Sequence, residues 1–305
     1  MSDESQPRTL LWILVGGGAF FLFTLLVFSL LFFSVRGNSE DEFEFGGSGP
    51  KIGVIDVEGV IFQAKPFVDD LKRYADDSSI KAIILRIDSP GGGAAASQEM
   101  YDAVRRVRDQ KKKMVVASIQ TVGASGAYYI ASGANKIYAN RASIVGSIGV
   151  IAEWVNYGDL LHWAKLKEVV LTEGALKDAG DPAREMTPAE HEYLQSLITD
   201  MYGQFIHDVA EGRKLKEEDV RSIASGRVWT GEEALPMKLI DQIGGFQAAV
   251  DDTAKAVGIH GEPSLVHPAR PRHTLLDLFF GDATQFLPDR ARMMQTNVNF
   301  LYLWR

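Results

Sequence analysis

Cysteine is absent from the 305 residues. The chain therefore has no disulfide framework, no thiol nucleophile and no cysteine-built zinc site, an absence that suits any compartment. Positive charge is in deficit: 32 Lys and Arg stand against 40 Asp and Glu, for a net charge of −8. A nucleic-acid partner needs a basic face to meet phosphate, and no long basic stripe occurs, so that class is excluded. The one basic run, Lys111-Lys112-Lys113, closes a helical pattern, where cations suit the negative end of the dipole. Histidine is scarce: His162, His191, His207, His260, His267 and His273. None lies in a Gly-rich or strand-end setting that suggests a Ser-His-Asp triad. The 46% apolar and 24% charged residues are those of a folded globular chain, neither disordered nor collagen-like.

One segment departs from that composition. Leu10 to Val35 carries no charge and is bracketed by Arg8 and Arg36. As a helix it would be about 39 Å long at ~1.5 Å per residue, enough to span a hydrocarbon core with some tilt. It exceeds the apolar core of a signal peptide, about 7–15 residues, and no A-x-A cleavage site follows. Residues 10–35 thus read as an uncleaved single-pass anchor behind a short tail, residues 1–9. Charge bias does not orient it, because the two flanks are nearly balanced. Residues 36–50, acidic and Gly-rich, read as a linker.

Residues 51–262 alternate strand and helix patterns. Strands are expected at Ile52–Val57, Ile80–Ile87, Met114–Ile119, Lys136–Ala139 and Glu168–Leu171. Helices are expected at Pro66–Ala75 and Ser97–Gln110. This alternation implies an α/β fold with parallel pairing. Thr187 with Glu190 forms a capping box, Pro188 follows at the first helical position, and Leu194, Leu197, Ile198, Met201, Phe205 and Val209 keep helical spacing. Thr230 with Glu233 marks another helix start. Residues 263–305 read as a tail with apolar islands at Phe279-Phe280 and Phe300–Trp304, packed on the domain or on a neighbouring subunit.

Three stretches could carry chemistry. Asp88-Ser89-Pro90-Gly91-Gly92-Gly93 follows a strand, where α/β folds bind ligands and where glycines aim N–H groups at an anion. The same residues would equally make a tight strand-to-helix turn. They are not a P-loop, since no Gly-Lys-Ser/Thr follows. Gly123-Ala124-Ser125-Gly126 places a serine between small residues at a strand-to-helix turn, as in a nucleophile elbow, though a helix-capping serine has the same pattern. Gly174-Ala175-Leu176-Lys177-Asp178 holds a lysine, which becomes a base only where burial lowers its pKa.

In combination these residues resemble the signal peptide peptidase A family of membrane-anchored serine proteases, in its short form. The resemblance runs from Lys51 to Phe246. It rests on D-S-P-G-G at 88–92, G-A-S-G-A-Y-Y-I-A at 123–131, G-S-I-G-V at 146–150, G-A-L-K-D-x-G-D-P-x-R-E-M-T at 174–187, and G-R-V-W-T-G-x-x-A at 226–234 leading to L-I-D-Q-I-G-G.

The resemblance implies a ClpP/crotonase-like fold of stacked β-β-α units. It implies Ser125 as nucleophile, Lys177 as general base, Ser147 as the residue orienting the lysine, and Gly92 as an oxyanion donor, with the Gly126 N–H as the second. It implies a serine endopeptidase that degrades remnant signal peptides with no metal or cofactor. The enzyme would be a homo-oligomer on the cytoplasmic membrane, its catalytic domain on the extracytoplasmic side and the bilayer met through the N-terminal helix. The alternatives are a related membrane protease cutting another membrane protein, or an inactive membrane scaffold of the same fold. An acyl-CoA enzyme of that fold would have little use for a Ser-Lys pair.

Overall fold

Apolar β-branched runs set the centre of the sheet. Ala82–Leu85 and Val115–Ala117 are fully buried, as strands covered on both faces must be. The computed structural model describes residues 18, 21–26, 43–45, 50–268 and 299–304. The chain divides into two units, one of Met1–Glu42 with Ala269–Gln285 and one of Phe43–Pro268 with Phe286–Arg305. Of the first unit only residues 18 and 21–26 are described, and they are helical and exposed. No helix among the described residues is long and apolar enough to cross a membrane. The rest of the expected anchor, residues 10–35, lies outside the described residues, as does Phe279-Phe280.

In the second unit, β1 (Phe43–Phe45) is followed by β2 (Lys51–Ile61), α1 (Lys65–Asp76), β3 (Ile80–Gly93), α2 (Ala94–Asp109), β4 (Met114–Ala124) and α3 (Gly126–Ser132). Strand β1 falls inside the expected linker and pairs antiparallel with β10 (Ser264–His267). β2, β3 and β4 pair in parallel, with Ile84 opposite Val54 on one side and Val116 on the other. Phe67, Leu71 and Tyr74 of α1 and Met100, Val104 and Val107 of α2 are buried in the core on one sheet face. Each buried side chain of this size contributes about 1.5–3 kcal/mol. Ile52, Ile84 and Val116 face the other way, onto Ala249, Val250 and Ala254 of α8 (Phe246–Ala256).

β4 divides its partners. Val116–Ile119 pairs with β5 (Lys136–Ala139), and Val122–Ala124 pairs with β6 (Ile144–Gly146). β6 pairs antiparallel with β8 (Val228–Thr230), after which the Thr230–Glu233 capping box opens α7 (Gly231–Ala234). β5 pairs with β9 (Gln242–Ile243), completing the path β1-β10-β2-β3-β4-β5-β9. Between lie β7 (Ile151–Glu153), α4 (Gly158–Trp163), α5 (Pro188–Arg213) and α6 (Glu217–Ile223). The capping box of Thr187 and Glu190 is formed, and Leu194, Phe205 and Val209 of α5 are buried.

Two local expectations are corrected. Asp88–Gly93 is not a turn: β3 runs on through it, because neighbours on both sides supply pairing partners. No strand forms at Glu168–Leu171. Val169 and Leu171 are 82% and 93% exposed, and the segment pairs with no strand among the described residues. Of the apolar island Phe300–Trp304, the residues Phe300–Leu303 lie in β11 (Asn299–Leu303), with Leu301, Tyr302 and Leu303 buried.

Candidate active site

Ser125 stands where β4 passes into α3. Its backbone has φ 54° and ψ −118°, a region that suits glycine and is strained for any other residue. Two bonds hold it there: its N–H donates to the Gly146 carbonyl at 2.7 Å, and its carbonyl accepts the Tyr129 N–H at 2.8 Å. The side chain makes no capping hydrogen bond, so the helix-cap reading of this serine fails. The hydroxyl instead borders a cavity of about 520 Å³.

Ser147 borders the same cavity. The parallel register of β4 and β6 sets Ala124 opposite Gly146, so the two serines leave adjacent strands side by side. Ser147 also has positive φ, 53°, and its N–H donates to the Arg227 carbonyl at 2.9 Å. The two glycines before α2 approach from a third strand. Gly91 has φ 96°, and a Cβ on it would lie 2.6 Å from the Gly126 nitrogen, so the close approach of β3 to the start of α3 requires glycine here. Gly92 sits opposite Ile61 of β2. Beneath them Ser97, fully buried, donates to the Gly93 carbonyl at 2.9 Å.

The structure thus brings Ser125, Gly126, Ser147 and Gly92 to one place. It does not bring Lys177. That residue is exposed in the turns of 174–180, with its N–H on the Gly174 carbonyl at 3.1 Å, and is not on the cavity wall. The burial that would make Lys177 a base is therefore not met within one chain. Asp178 beside it is engaged elsewhere: Arg184 donates to it at 2.9 Å and to Glu190 at 2.5 Å. Arg184 and the Thr187 N–H hold the Glu190 carboxyl at about 2, below its usual 4.5. Among the described residues no histidine, lysine or carboxylate lines the cavity.

The far wall was not foreseen. Gln195, Ile198, Thr199 and Tyr202 of α5 line it, and the Tyr202 hydroxyl donates to the Ala224 carbonyl at 2.5 Å. Their spacing of three and four residues makes a second stripe beside the core stripe, and this was legible as a helix with two occupied faces. Leu303 and Trp304 close the rim.

A family model described as peptidase family S49 matches residues 107–260, a span that holds both serines and Lys177. The chain belongs to peptidase family S49. As an S49 member it is a serine peptidase. This S49 chain is 31% identical over 245 residues to the putative signal peptide peptidase SppA of Enterococcus faecium, covering 76% of the chain and 71% of that protein. A putative protease of Synechocystis sp. is 39% identical over 211 residues, covering 68% of the chain and 75% of that protein. The chloroplastic serine protease SPPA of Arabidopsis thaliana is 30% identical over 240 residues, covering 77% of this chain but 35% of that protein. On the S49 chain, His207, Asp208 and Glu211 offer ligand atoms within 4.8 Å of one another. Each is already bonded, to Glu217, Tyr129 and Arg105 respectively, and the group lies outside the serine cavity.

Proposed function

We propose that this S49 peptidase is a membrane-anchored endopeptidase of the ClpP/crotonase-like fold that degrades remnant signal peptides, held at the extracytoplasmic face of the cytoplasmic membrane by residues 10–35. The observation that carries the reading is Ser125, strained at a strand-to-helix elbow and open to a cavity beside Ser147.

Ser125 Oγ attacks the peptide carbonyl carbon while its proton passes to the neutral Lys177 amine. The oxyanion that forms is held by the N–H groups of Gly92 and Gly126. Collapse expels the amine fragment, which takes the proton from Lys177, and water then cleaves the acyl ester with Lys177 again as base. Ser147 orients the lysine. Among the described residues no histidine, lysine or carboxylate lines the cavity of a single chain, and Lys177 is exposed on a segment rich in exposed apolar residues. We therefore assign the base to Lys177 of a second copy in the homo-oligomer.

Mixing tests this. Ser125→Ala and Lys177→Ala chains are each expected to be inactive on a hydrophobic signal-peptide substrate in detergent. Co-assembled from denaturant, they should regain activity, since about a quarter of sites in a randomly mixed ring pair an intact serine with an intact lysine. No recovery on mixing, with both chains assembled, would place the lysine in the serine's own chain. Turnover by Lys177→Ala alone would remove it as the base. Hydrolysis of soluble peptides and none of signal peptides would favour another substrate.

A further inference from the structure

The reaction written above leaves two buried hydroxyls unused, those of Ser89 and Ser97. Both residues are 0% exposed. Ser89 lies in β3 opposite Gly123 of β4, two residues from the nucleophile. Its Oγ accepts the Gly91 N–H at 3.1 Å. Ser97 lies near the start of α2, and its Oγ donates to the Gly93 carbonyl at 2.9 Å. A Cβ on Gly126 would fall on the Ser97 hydroxyl, so that hydroxyl also rests against the first residue of α3. The two serines thus grip the run Gly91-Gly92-Gly93 at its two ends, and one of them touches Gly126 as well.

Three successive glycines turn more freely than any other run, because none has a Cβ to restrict φ and ψ. An oxyanion donor is effective only when it is aimed before the charge develops. These two facts conflict at Gly92. The strand ladders hold the run imperfectly: the pairing of β3 with β2 shifts register between Glu58 and Val60, and its pairing with β4 shifts between Ile87 and Ser89. The side chains supply what the ladders lack. Ser89 fixes the peptide that enters Gly91, and Ser97 fixes the peptide that leaves Gly93. Alanine would fill nearly the same space at either position without the cost of burying a hydroxyl, so the use of these hydroxyls lies in what they bond.

We infer that Ser89 and Ser97 are positioning residues for the oxyanion hole: together they fix the aim of the Gly92 N–H, and Ser97 also sets its spacing from the Gly126 N–H. Neither serine touches the substrate or the lysine; each acts through a glycine. Such a residue works on the transition state, where the negative oxygen exists, and leaves substrate binding alone. The inference rests on the peptidase reading above and deepens it.

The test uses the full chain in detergent, as parent, Ser89→Ala and Ser97→Ala. It measures kcat and KM on a hydrophobic signal peptide, and the rate at which an activated diphenyl phosphonate of a peptide labels Ser125, followed by mass. In labelling, Ser125 Oγ bonds to phosphorus, its proton passes to the base, a phenoxide leaves, and the phosphoryl oxygen takes the place of the oxyanion. Losing a donor outright costs about 10²–10³ in kcat, and a donor that is present but poorly aimed costs less. Each variant is therefore expected to lose about tenfold in kcat and in labelling rate, with KM within about twofold of the parent. The pH midpoint of labelling should stay at the parental value, because the base is untouched. Ser97→Cys and Ser89→Cys keep a similar volume with weaker hydrogen bonding and should fall between alanine and the parent. Where an alanine variant fails to fold, the cysteine variant decides by the same criteria. Parental kcat and labelling in the variants would overturn the inference and leave the peptidase reading intact. A rise in KM at unchanged kcat, or a displaced pH midpoint, would also overturn it, since the hydroxyls would then act on the substrate or on the base. Absence of turnover and of Ser125 labelling in the parent would overturn the peptidase reading and this inference with it.

Discussion

At Ser125 the backbone serves chemistry against stability. A non-glycine residue at φ 54° and ψ −118° costs about 1–3 kcal/mol, a strain that persists only where the surroundings impose it. Ser125→Gly is therefore expected to lose all turnover yet melt higher than Ser125→Ala, by the equivalent of about 1 kcal/mol. Equal melting of the two variants would mean that the elbow stores no strain. Gly91 is the converse case. Its φ of 96° and the nearness of the Gly126 nitrogen leave no room for a methyl group. Gly91→Ala should lower stability by about 1–3 kcal/mol in denaturant titration and sharply reduce labelling of Ser125. A variant with parental stability and labelling would show that β3 and α3 do not need this approach.

Among elements, the segment between α4 and α5 has its own lock. Arg184 joins Asp178 to Glu190, and the capping box joins Glu190 to the start of α5. The turn that carries Lys177 is thus pinned to a helix end. Arg184 and the Thr187 N–H lower the Glu190 pKa to about 2 from 4.5. A carboxylate with a lowered folded-state pKa stabilises the fold above its unfolded pKa, and that contribution is lost as pH falls toward the folded one. Hydrogen exchange of residues 174–190, corrected for the intrinsic pH effect, should accelerate as pH drops from 4.5 toward about 2. Arg184→Met should give the same acceleration at neutral pH, together with a fall in kcat. Unchanged exchange in that variant would show that the turn is held by something else.

At the scale of the molecule, one stretch of the second unit is rich in exposed apolar side chains. Val155, Leu160, Trp163, Leu166, Val169 and Leu171 are between 60% and 93% exposed, and Lys177 follows them. A monomer rarely leaves so many large apolar side chains in water on one segment, and a contact between copies would cover them. Light scattering in detergent should give a multiple of 33.6 kDa. Trp163→Glu combined with Leu171→Glu should lower that mass and abolish turnover while leaving the melting temperature of the α/β core little changed. Dissociation with activity retained would mean that one copy suffices for catalysis.

The sequence alone determined the parts whose cause is local. The helix α1 over Lys65–Asp76, the strand β5 over Lys136–Ala139 and both capping boxes follow from hydrophobic period and cap chemistry within a few residues. Ser125, Ser147, Lys177 and the glycines were legible as motifs in order along the chain. Family membership followed from that order. The tertiary structure alone decided which of them meet. The side-by-side position of Ser125 and Ser147 comes from the register of β4 on β6, a pairing between segments with no local signature of each other. The same holds for β3, which continues through Asp88–Gly93 because β2 and β11 flank it, although a Pro and three glycines read locally as a turn. Val169–Leu171 shows the reverse: an apolar run that reads locally as a strand stays out of the sheet and is exposed. A strand is completed by a partner distant in sequence, whereas a helix carries its hydrogen bonds within itself, so the helices could be read along the chain and the site, built where strands end, could not.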